Sequence, residues 1–221
     1  MKAQYRAQGF TLVEIAIVLV IIGLLLGGIL KGQEMIIQAK IKNAIADFSG
    51  ISAAYHGYQD RYRAIPGDDP NAAGRWAGAT VSGTAAEVGN GKVQGKYNST
   101  TNGDESRIWW DHLRRAGFVA GSGFNQPFNA FSGMIGVQTG DAAGGTALGG
   151  FAGIIVCSAN IPDKAAIALD TQMDDGAPST GTVRGLDTTS AAPNPALSGL
   201  SAPASGYQET GTNTYLICRS L

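Results

Sequence analysis

Apolar residues follow one another from residue 10 to residue 30, with Glu14 as the single ionisable group among them. An α-helix of this length spans about 31 Å, close to the roughly 30 Å hydrocarbon core of a bilayer. A core helix of a soluble protein rarely stays apolar for so long without a polar face. The run therefore predicts a membrane-spanning helix over residues 10–30.

Basic residues precede the apolar run. Residues 1–9 contain Lys2 and Arg6 and no acidic residue. Because positively charged flanks of membrane segments stay in the cytoplasm, the rest of the chain is predicted to be exported. A secretory signal has a shorter apolar core, of about 7–15 residues, followed by a small-residue cleavage site, and no such site follows this run. The pattern alone therefore predicts an uncleaved anchor.

Beyond residue 30, apolar positions recur at steps of three and four residues, which is the spacing of one helix face. This stripe consists of Ile37, Ile41, Ala44, Ile45, Phe48, Ile51, Ser52 and Tyr55. No proline occurs before residue 66, where an Ile-Pro-Gly-Asp-Asp-Pro segment contains several helix breakers. The pattern predicts one helix over residues 10–62 and a globular head over residues 63–221.

The first half of the head contains one clear helical pattern. Residues 70–101 are rich in Gly, Ala, Ser and Asn, which indicates a long irregular excursion. A helix is then predicted over residues 105–116, with Asp104 as its N-cap and Gly117 closing it. Trp109 and Trp110 lie in this helix, and core packing is the favoured role for both.

The sequence pattern in the second half of the head predicts two strands. The run at 151–157 has strand character, and 215–218 is predicted to be a closing strand. Between them, Asn160 and Pro162 fit an N-cap and an early helical position, with a helix continuing to about Met173. A long helix, short helices and an antiparallel sheet define an α+β fold.

The amino-acid composition argues against some classes of function. Glycine accounts for 32 of 221 residues, about twice the usual share, and charged residues for 15%, against about 25% in an ordinary soluble domain. These values indicate long loops on a compact core. The formal net charge of −1 argues against nucleic acid as a partner. The four arginines that could contact acidic partners are better explained by ion pairs and a solvated face: Arg61, Arg63, Arg114 and Arg115.

The first thirty residues resemble the signal of type IV pilins, which type II secretion pseudopilins share. The resemblance rests on a short basic leader ending in Gly9, on the run Phe10-Thr11-Leu12-Val13-Glu14 and on the long apolar helix that follows. It implies that a prepilin peptidase cuts on the cytoplasmic side, between Gly9 and Phe10, and methylates the new amino terminus at Phe10. The leader is then residues 1–9, and the apolar helix is retained.

The resemblance implies a structural subunit rather than an enzyme. The mature chain would sit in the bacterial inner membrane with a periplasmic head, and then in a type IV pilus or a type II secretion pseudopilus. Its partners would be the prepilin peptidase, other pilin or pseudopilin subunits, the inner-membrane assembly platform and the lipid bilayer. The large, Gly-rich head favours a minor subunit. The alternative is a membrane-anchored binding or adhesion protein that never polymerises.

A softer resemblance concerns the head. The stretches 105–117 and 169–176 resemble uncharacterised prepilin-like proteins with large heads. This second resemblance implies no activity.

Glu14 needs a partner, because a carboxylate within a bilayer costs about 2.5–3.5 kcal/mol on insertion scales. One explanation is that it lies near the membrane face and benefits from the positive N-terminus of the helix. The other is that, once Phe10 is the mature terminus, the amine of the same chain or of a neighbouring chain pairs with Glu14. The resemblance assigns Glu14 this role in filament assembly.

Cys157 and Cys218 are both predicted on the exported side, where thiols can be oxidised. A bridge between them would close a loop of about 62 residues and stabilise the head by roughly 4 kcal/mol in the chain-entropy model. Two buried free thiols are the alternative. The resemblance favours the disulfide, since pilin heads often fix their last strand in this way.

No catalytic residue or cofactor is predicted. The only histidines, His56 and His112, have no Cys or second His at metal-ligand spacing, so each is interpreted as a surface or packing residue. The chain contains no Gly-x-Ser-x-Gly nucleophile elbow. The run Gly89-Asn90-Gly91-Lys92 lacks the spacing of a phosphate-binding loop, and its glycines are interpreted as loop residues.

No residue is predicted to bind a metal as part of the main prediction. A group of acidic residues nevertheless supports calcium binding as a secondary hypothesis. Asp170, Asp174 and Asp175 could supply oxygen ligands to calcium, together with Asp68 or Asp69. The spacing does not match an EF-hand, and acidic residues clustered in a turn are usually solvated. The resemblance to pseudopilins supports the hypothesis, because some pseudopilin heads bind calcium.

Overall fold

The computed structural model describes residues 11–82, 88–140, 147–151, 153–191, 194–197, 201 and 203–221. The chain divides into two compact units, Met1–Ala39 and Lys40–Leu221. Helix α1 spans Leu12–Tyr62 and contributes to both units. The helix predicted over residues 10–62 is therefore confirmed from Leu12 onward, whereas Gly9 and Phe10 lie outside the described residues.

In the first unit, the described residues form the N-terminal part of α1. Every residue from 11 to 31 is exposed. Within the described part of the chain, α1 is the one helix long and apolar enough to cross a membrane, and none of its most apolar window is buried. Intrachain packing therefore leaves this apolar surface uncovered.

In the second unit, α1 presents one apolar face to the core. Its buried residues are Ile41, Ala44, Phe48, Ile51, Ala54, Tyr55 and Tyr58. These positions follow the predicted stripe and extend it by one turn. Ile37, predicted as part of the same stripe, is 40% exposed and lies in the first unit.

The segment after α1 is largely irregular, as predicted, but contains one helical turn, α2 (Ala72–Arg75). Gly67 begins this segment with a φ of +88°. A Cβ at Gly67 would lie 2.5 Å from the carbonyl oxygen of Glu105. Glycine is therefore required here for both its backbone conformation and its size.

Helix α3 (Glu105–Arg115) confirms the helix predicted at this place in the head. Gly117 closes it with a φ of +80°, and the N–H of Phe118 donates to the carbonyl of Leu113 in the manner of a Schellman motif. Asp104 occupies the N-cap position, but its side chain makes no capping hydrogen bond. The predicted N-cap position is therefore confirmed, but the Asp104 carboxylate accepts the hydroxyl of Ser99 at 2.5 Å instead of a helix N–H.

A four-stranded antiparallel sheet completes the α+β fold. Its strands are β1 (Ile135–Thr139), β2 (Ile154–Pro162), β3 (Val183–Asp187) and β4 (Thr214–Ser220), and their order is β1-β2-β4-β3. The predicted closing strand is confirmed as β4, which is longer than expected. Neither β1 nor β3 was predicted.

Strand β2 corrects two sequence predictions. It begins at Ile154, later than the predicted 151–157 run, and continues to Pro162, which pairs with Thr214. Asn160 is therefore not a helix N-cap. It lies at an irregularity in the β2–β4 register with a φ of +55°, and its amide donates to the carbonyl of Phe131. The helix, α4, begins at Asp163 and ends at Met173 as predicted.

The sheet carries a hydrophobic core on each face. In β2, Val156 belongs to one core, whereas Ile155 and Cys157 belong to the other, as the alternation of a strand requires. After the irregularity near Asn160, Ile161 has joined the core of Val156. One extra residue in β2 at this irregularity thus reverses the face of the sheet towards which the following side chains point.

Helices α1, α3 and α4 contribute to the first of these cores, which contains both Trp109 and Trp110 at 0% exposure. The predicted packing role of the two tryptophans is confirmed. The second core is built around Tyr97, Leu148, Leu216 and the two cysteines. Both faces of the sheet are therefore covered within the second unit.

Candidate functional sites

The start of α1 is closed by a reciprocal capping box between Thr11 and Glu14. One oxygen of Glu14, Oε2, accepts the backbone N–H and the hydroxyl of Thr11, each at 2.8 Å. In return, the N–H of Glu14 lies 3.3 Å from the Thr11 hydroxyl oxygen. Two backbone donors at the helix N-terminus are thus satisfied by side chains, and the Glu14 carboxylate is held in a defined position.

The second oxygen of Glu14, Oε1, makes no hydrogen bond to any residue that the structure describes. The carboxylate therefore keeps one acceptor while the other serves the helix. Cleavage before Phe10 would leave Thr11 as the second mature residue, so the capping box would survive the cut. The structure places Glu14 where a cation can reach it, but the predicted cleavage positions Gly9 and Phe10 lie outside the described residues.

Thr11 is a hydrogen-bond partner of Glu14 that the sequence predictions missed. The signal was present, because Thr-x-x-Glu before an apolar run is the pattern of a capping box.

The predicted disulfide is confirmed. Cys157 of β2 and Cys218 of β4 are direct partners in the antiparallel register, with Cα atoms 4.0 Å apart, and their sulfurs are bonded. Both residues are fully buried. Because the bond joins the two central strands, it fixes the last strand of the chain to the middle of the sheet.

Three of the predicted acidic residues lie together at the end of α4. Carboxylate oxygens of Asp170, Asp174 and Asp175 all lie within 4.8 Å of one another. The hydroxyl of Thr180 lowers the pKa of Asp175 by donating to its carboxylate at 2.5 Å. Asp174 accepts the N–H of Val183 at 2.9 Å.

The most buried member of the acidic group has a partner that the sequence did not reveal. The hydroxyl of Tyr207 donates to Asp170 at 2.6 Å, and the N–H of Gly176 donates to the other oxygen at 3.1 Å. Burial raises the pKa of Asp170, and the two donors act against this shift. The three aspartates already serve the local fold, so the calcium hypothesis depends on calorimetry: absence of heat on adding calcium would remove it.

Asp68 and Asp69, considered as further calcium ligands, have other partners. Asp68 accepts the backbone N–H groups of three consecutive residues, 89 to 91. Asp69 accepts the hydroxyl of Tyr58 at 2.6 Å and forms an ion pair with Arg75. The glycines of the 89–92 run are thus loop residues, as interpreted, and their N–H groups bind a carboxylate of the same chain.

The two histidines occupy the places assigned to them. His56 is exposed on α1, and His112 is fully buried in α3. His112 Nδ1 accepts the N–H of Gly67 at 3.0 Å, so Nε2, 2.9 Å from the carbonyl oxygen of Thr80, carries the proton and donates. Burial lowers the pKa of His112. The neutral ring thus binds two points, Gly67 and Thr80, in the first half of the segment between α1 and α3.

The arginines predicted to make ion pairs or to be solvated are distributed over the second unit. Arg115 pairs with Asp111 at 2.6 Å, and Arg63 lies 3.5 Å from Asp60 on the exposed end of α1. Arg114 instead donates to backbone carbonyls, including that of Gly123 at 2.6 Å. Arg61 lies over the ring of Tyr62, with its guanidinium carbon 5.4 Å from the ring centroid.

Residues 5–30 match the model of the prokaryotic N-terminal methylation motif. Comparison of the chain with curated proteins and with solved structures finds no match. The motif, together with the long apolar helix that follows it, fits a type IV pilin-like protein and indicates a structural subunit. The predicted resemblance of the first thirty residues is thereby confirmed.

Proposed function

We propose that the chain is the precursor of a structural subunit that assembles into a type IV pilus or a type II secretion pseudopilus. One observation carries the proposal: the methylation motif at residues 5–30 overlaps the first part of α1, whose most apolar window is fully exposed within one chain. An isolated membrane anchor would also be apolar, but it would not need the motif. The large, Gly-rich head supports a minor subunit.

Processing comes first in this proposal. The N-terminus stays in the cytoplasm, residues 10–30 span the inner membrane, and the head, residues 63–221, lies in the periplasm. A prepilin peptidase cuts between Gly9 and Phe10 and methylates Phe10. The disulfide supports this orientation, because the periplasm permits stable disulfides and the cytoplasm does not.

Assembly then requires that the apolar helix leave the bilayer. Its side chains, exposed within one chain, would meet water unless helices of other subunits replace the lipid. The mature amine of a neighbouring subunit can bind Glu14 through Oε1 while Oε2 keeps Thr11 in place. This pairing would neutralise both charges and set the axial register of the subunits. The inner-membrane assembly platform and its motor supply the energy for moving the helix out of the bilayer.

The deciding experiment is the mass of the amino-terminal peptide of the protein extracted from its native membrane, measured beside its abundance in sheared filaments. A methylated Phe10 terminus and recovery in the filament fraction are expected. An intact Met1 terminus, in cells that contain the peptidase, would contradict the proposal. That result would favour the membrane-anchored binding or adhesion protein that does not polymerise.

A further inference from the structure

An apolar groove of about 270 Å³ lies beside α1 in the second unit. Asp47 and Ile51 of α1 line one wall, and Phe118 and Phe128, from the chain that follows α3, line the other. Phe128 is 62% exposed and Phe118 is 36% exposed. Single exposed apolar residues are ordinary, but two phenylalanines on one groove form a surface suited to a partner.

Asp47 gives the groove its chemical preference. It is partly buried, and no residue that the structure describes donates a hydrogen bond to its carboxylate or forms an ion pair with it. Burial raises the pKa of Asp47, in accordance with the cost of a carboxylate in apolar surroundings. An occupant that brings a cation into the groove would remove this cost, whereas an apolar occupant would increase it.

Lys42, on the same helix, has the complementary properties. It is exposed, and its ammonium has no ion-pair partner among the described residues. It precedes Asp47 by five residues, which places it about 140° around the helix and about 7.5 Å along it. Lys42 and Asp47 therefore belong to different faces and do not pair within one chain.

The face of α1 that carries Lys42 also carries small side chains. Ser49 and Ala53 follow Lys42 at helical spacing, and both are exposed. Their small side chains let another surface approach the helix closely. One side of α1 thus presents a cation on a flat face, and another side borders a groove that contains an unpaired carboxylate.

We propose that the Lys42 face of a second copy of this chain binds in the groove and places its ammonium against Asp47. This inference rests on the proposed function, because insertion in one membrane orientation makes the α1 helices of neighbouring subunits parallel. The two copies are then shifted by about 7.5 Å along the helix axis. Such a contact joins different surfaces and can repeat along a filament, although two adjacent copies are enough to form it.

Cysteine cross-linking in the native host tests the geometry. Two full-length chains with different epitope tags are co-expressed, one carrying Asp47→Cys and the other Lys42→Cys, and the cells are mildly oxidised. The native cysteines are bonded to each other and do not compete. A dimer containing both tags is expected. Ala53→Cys is the matched control, since it lies on the face of Lys42 but about 16 Å further along α1, and it should not cross-link to position 47.

Charge reversal tests the chemistry. Asp47→Lys should lower the yield of a dimer formed through a photo-crosslinker at position 128 on the order of fivefold. Adding Lys42→Asp to the same chain should restore the yield. Restoration by the double variant would exclude a simple folding defect. An unchanged yield after reversal, a cross-link between two cysteines at position 47, or capture of a different protein at position 128 would each overturn the inference.

The same cells separate the inference from the proposed function. If Phe10 is the methylated terminus and the chain enters filaments, but positions 42 and 47 do not cross-link, the inference is wrong and the proposed function stands. If Met1 is retained and no chain enters filaments, the proposed function fails, and the parallel contact that depends on it fails too.

Discussion

Glu14 holds the N–H and the hydroxyl of Thr11 through a single carboxylate oxygen, at 2.8 Å each. The helix start therefore uses half of the carboxylate's acceptor capacity. The same residue can thus stabilise α1 and bind an incoming amine, and the two roles can be separated by mutation.

Glu14→Gln keeps an oxygen for the N–H of Thr11 but removes the charge. We expect it to lower recovery in sheared filaments about tenfold, the equivalent of ~1.4 kcal/mol, while membrane insertion persists. Thr11→Val removes the hydroxyl and keeps the charge, so it should cost about 1 kcal/mol of helix stability and leave most of the filament incorporation. Immunoblots of sheared and membrane fractions measure both. An equal loss in the two variants would mean that the helix start, rather than the charge, controls assembly.

The Cys157–Cys218 bond should contribute strongly to the stability of the head. It closes a loop with a sequence separation of 61 residues. The chain-entropy model gives about 4 kcal/mol for such a loop. The double variant Cys157→Ala/Cys218→Ala should lower the Tm of the full-length protein in detergent by roughly 10 °C.

Reductant provides the control for the disulfide. It should lower the Tm of the native protein by a similar amount and leave that of the double alanine variant unchanged. A native Tm that does not respond to full reduction would show that the sheet is stable without the bond.

His112 should make the head less stable in mild acid. Its pKa is lowered by burial, so below about pH 6.5 the unfolded chain binds a proton that the folded chain resists. Its contribution is thus complete above the unfolded pKa and decreases as the pH falls. We expect a lower urea midpoint at pH 5.5 than at pH 7.

His112→Gln is the matched control, because an amide can accept from Gly67 and donate to Thr80 without titrating. It should retain stability at pH 7 and reduce the difference in urea midpoint between the two pH values. If this variant has the same pH dependence as the native protein, another group is responsible.

Sequence patterns predicted the elements whose signals are local. The stripe of α1 and the end of α3 at Gly117 follow from helix periodicity and cap chemistry, and both are found in the structure. The β2 boundary was harder to predict, because Asn160 and Pro162 favour a helix start in isolation. Pairing with β4 overrides this preference and keeps both residues in the strand.

Strands β1 and β3 depend still more on tertiary context. Each spans five residues and includes an interior glycine, Gly136 or Gly185, which weakens the strand signal. At the candidate sites, the disulfide could be predicted because the chain contains two cysteines and the family resemblance favours a bridge between them. Tyr207 could not be predicted as the partner of Asp170, because 37 residues separate them and no short pattern joins them.

The Tyr207 hydroxyl should be needed to keep Asp170 ionised in the core. Tyr207→Phe removes the 2.6 Å hydrogen bond and leaves a buried carboxylate oxygen without it. We expect a loss of about 1–3 kcal/mol in the free energy of unfolding at pH 7, measured with urea on the full-length protein.

The pH dependence of this loss identifies its cause. Burial already raises the pKa of Asp170, and removing the hydroxyl should raise it further. A carboxyl group with a raised folded pKa binds a proton more readily in the folded than in the unfolded chain, so lowering the pH towards 5 should recover part of the stability. Adding Asp170→Asn to Tyr207→Phe should abolish this recovery, because the amide does not titrate. A deficit that is equal at both pH values would contradict this explanation, because the ring packed against Tyr215, with centroids 5.1 Å apart, is retained in Tyr207→Phe and the ionisation of Asp170 would then not be the cause.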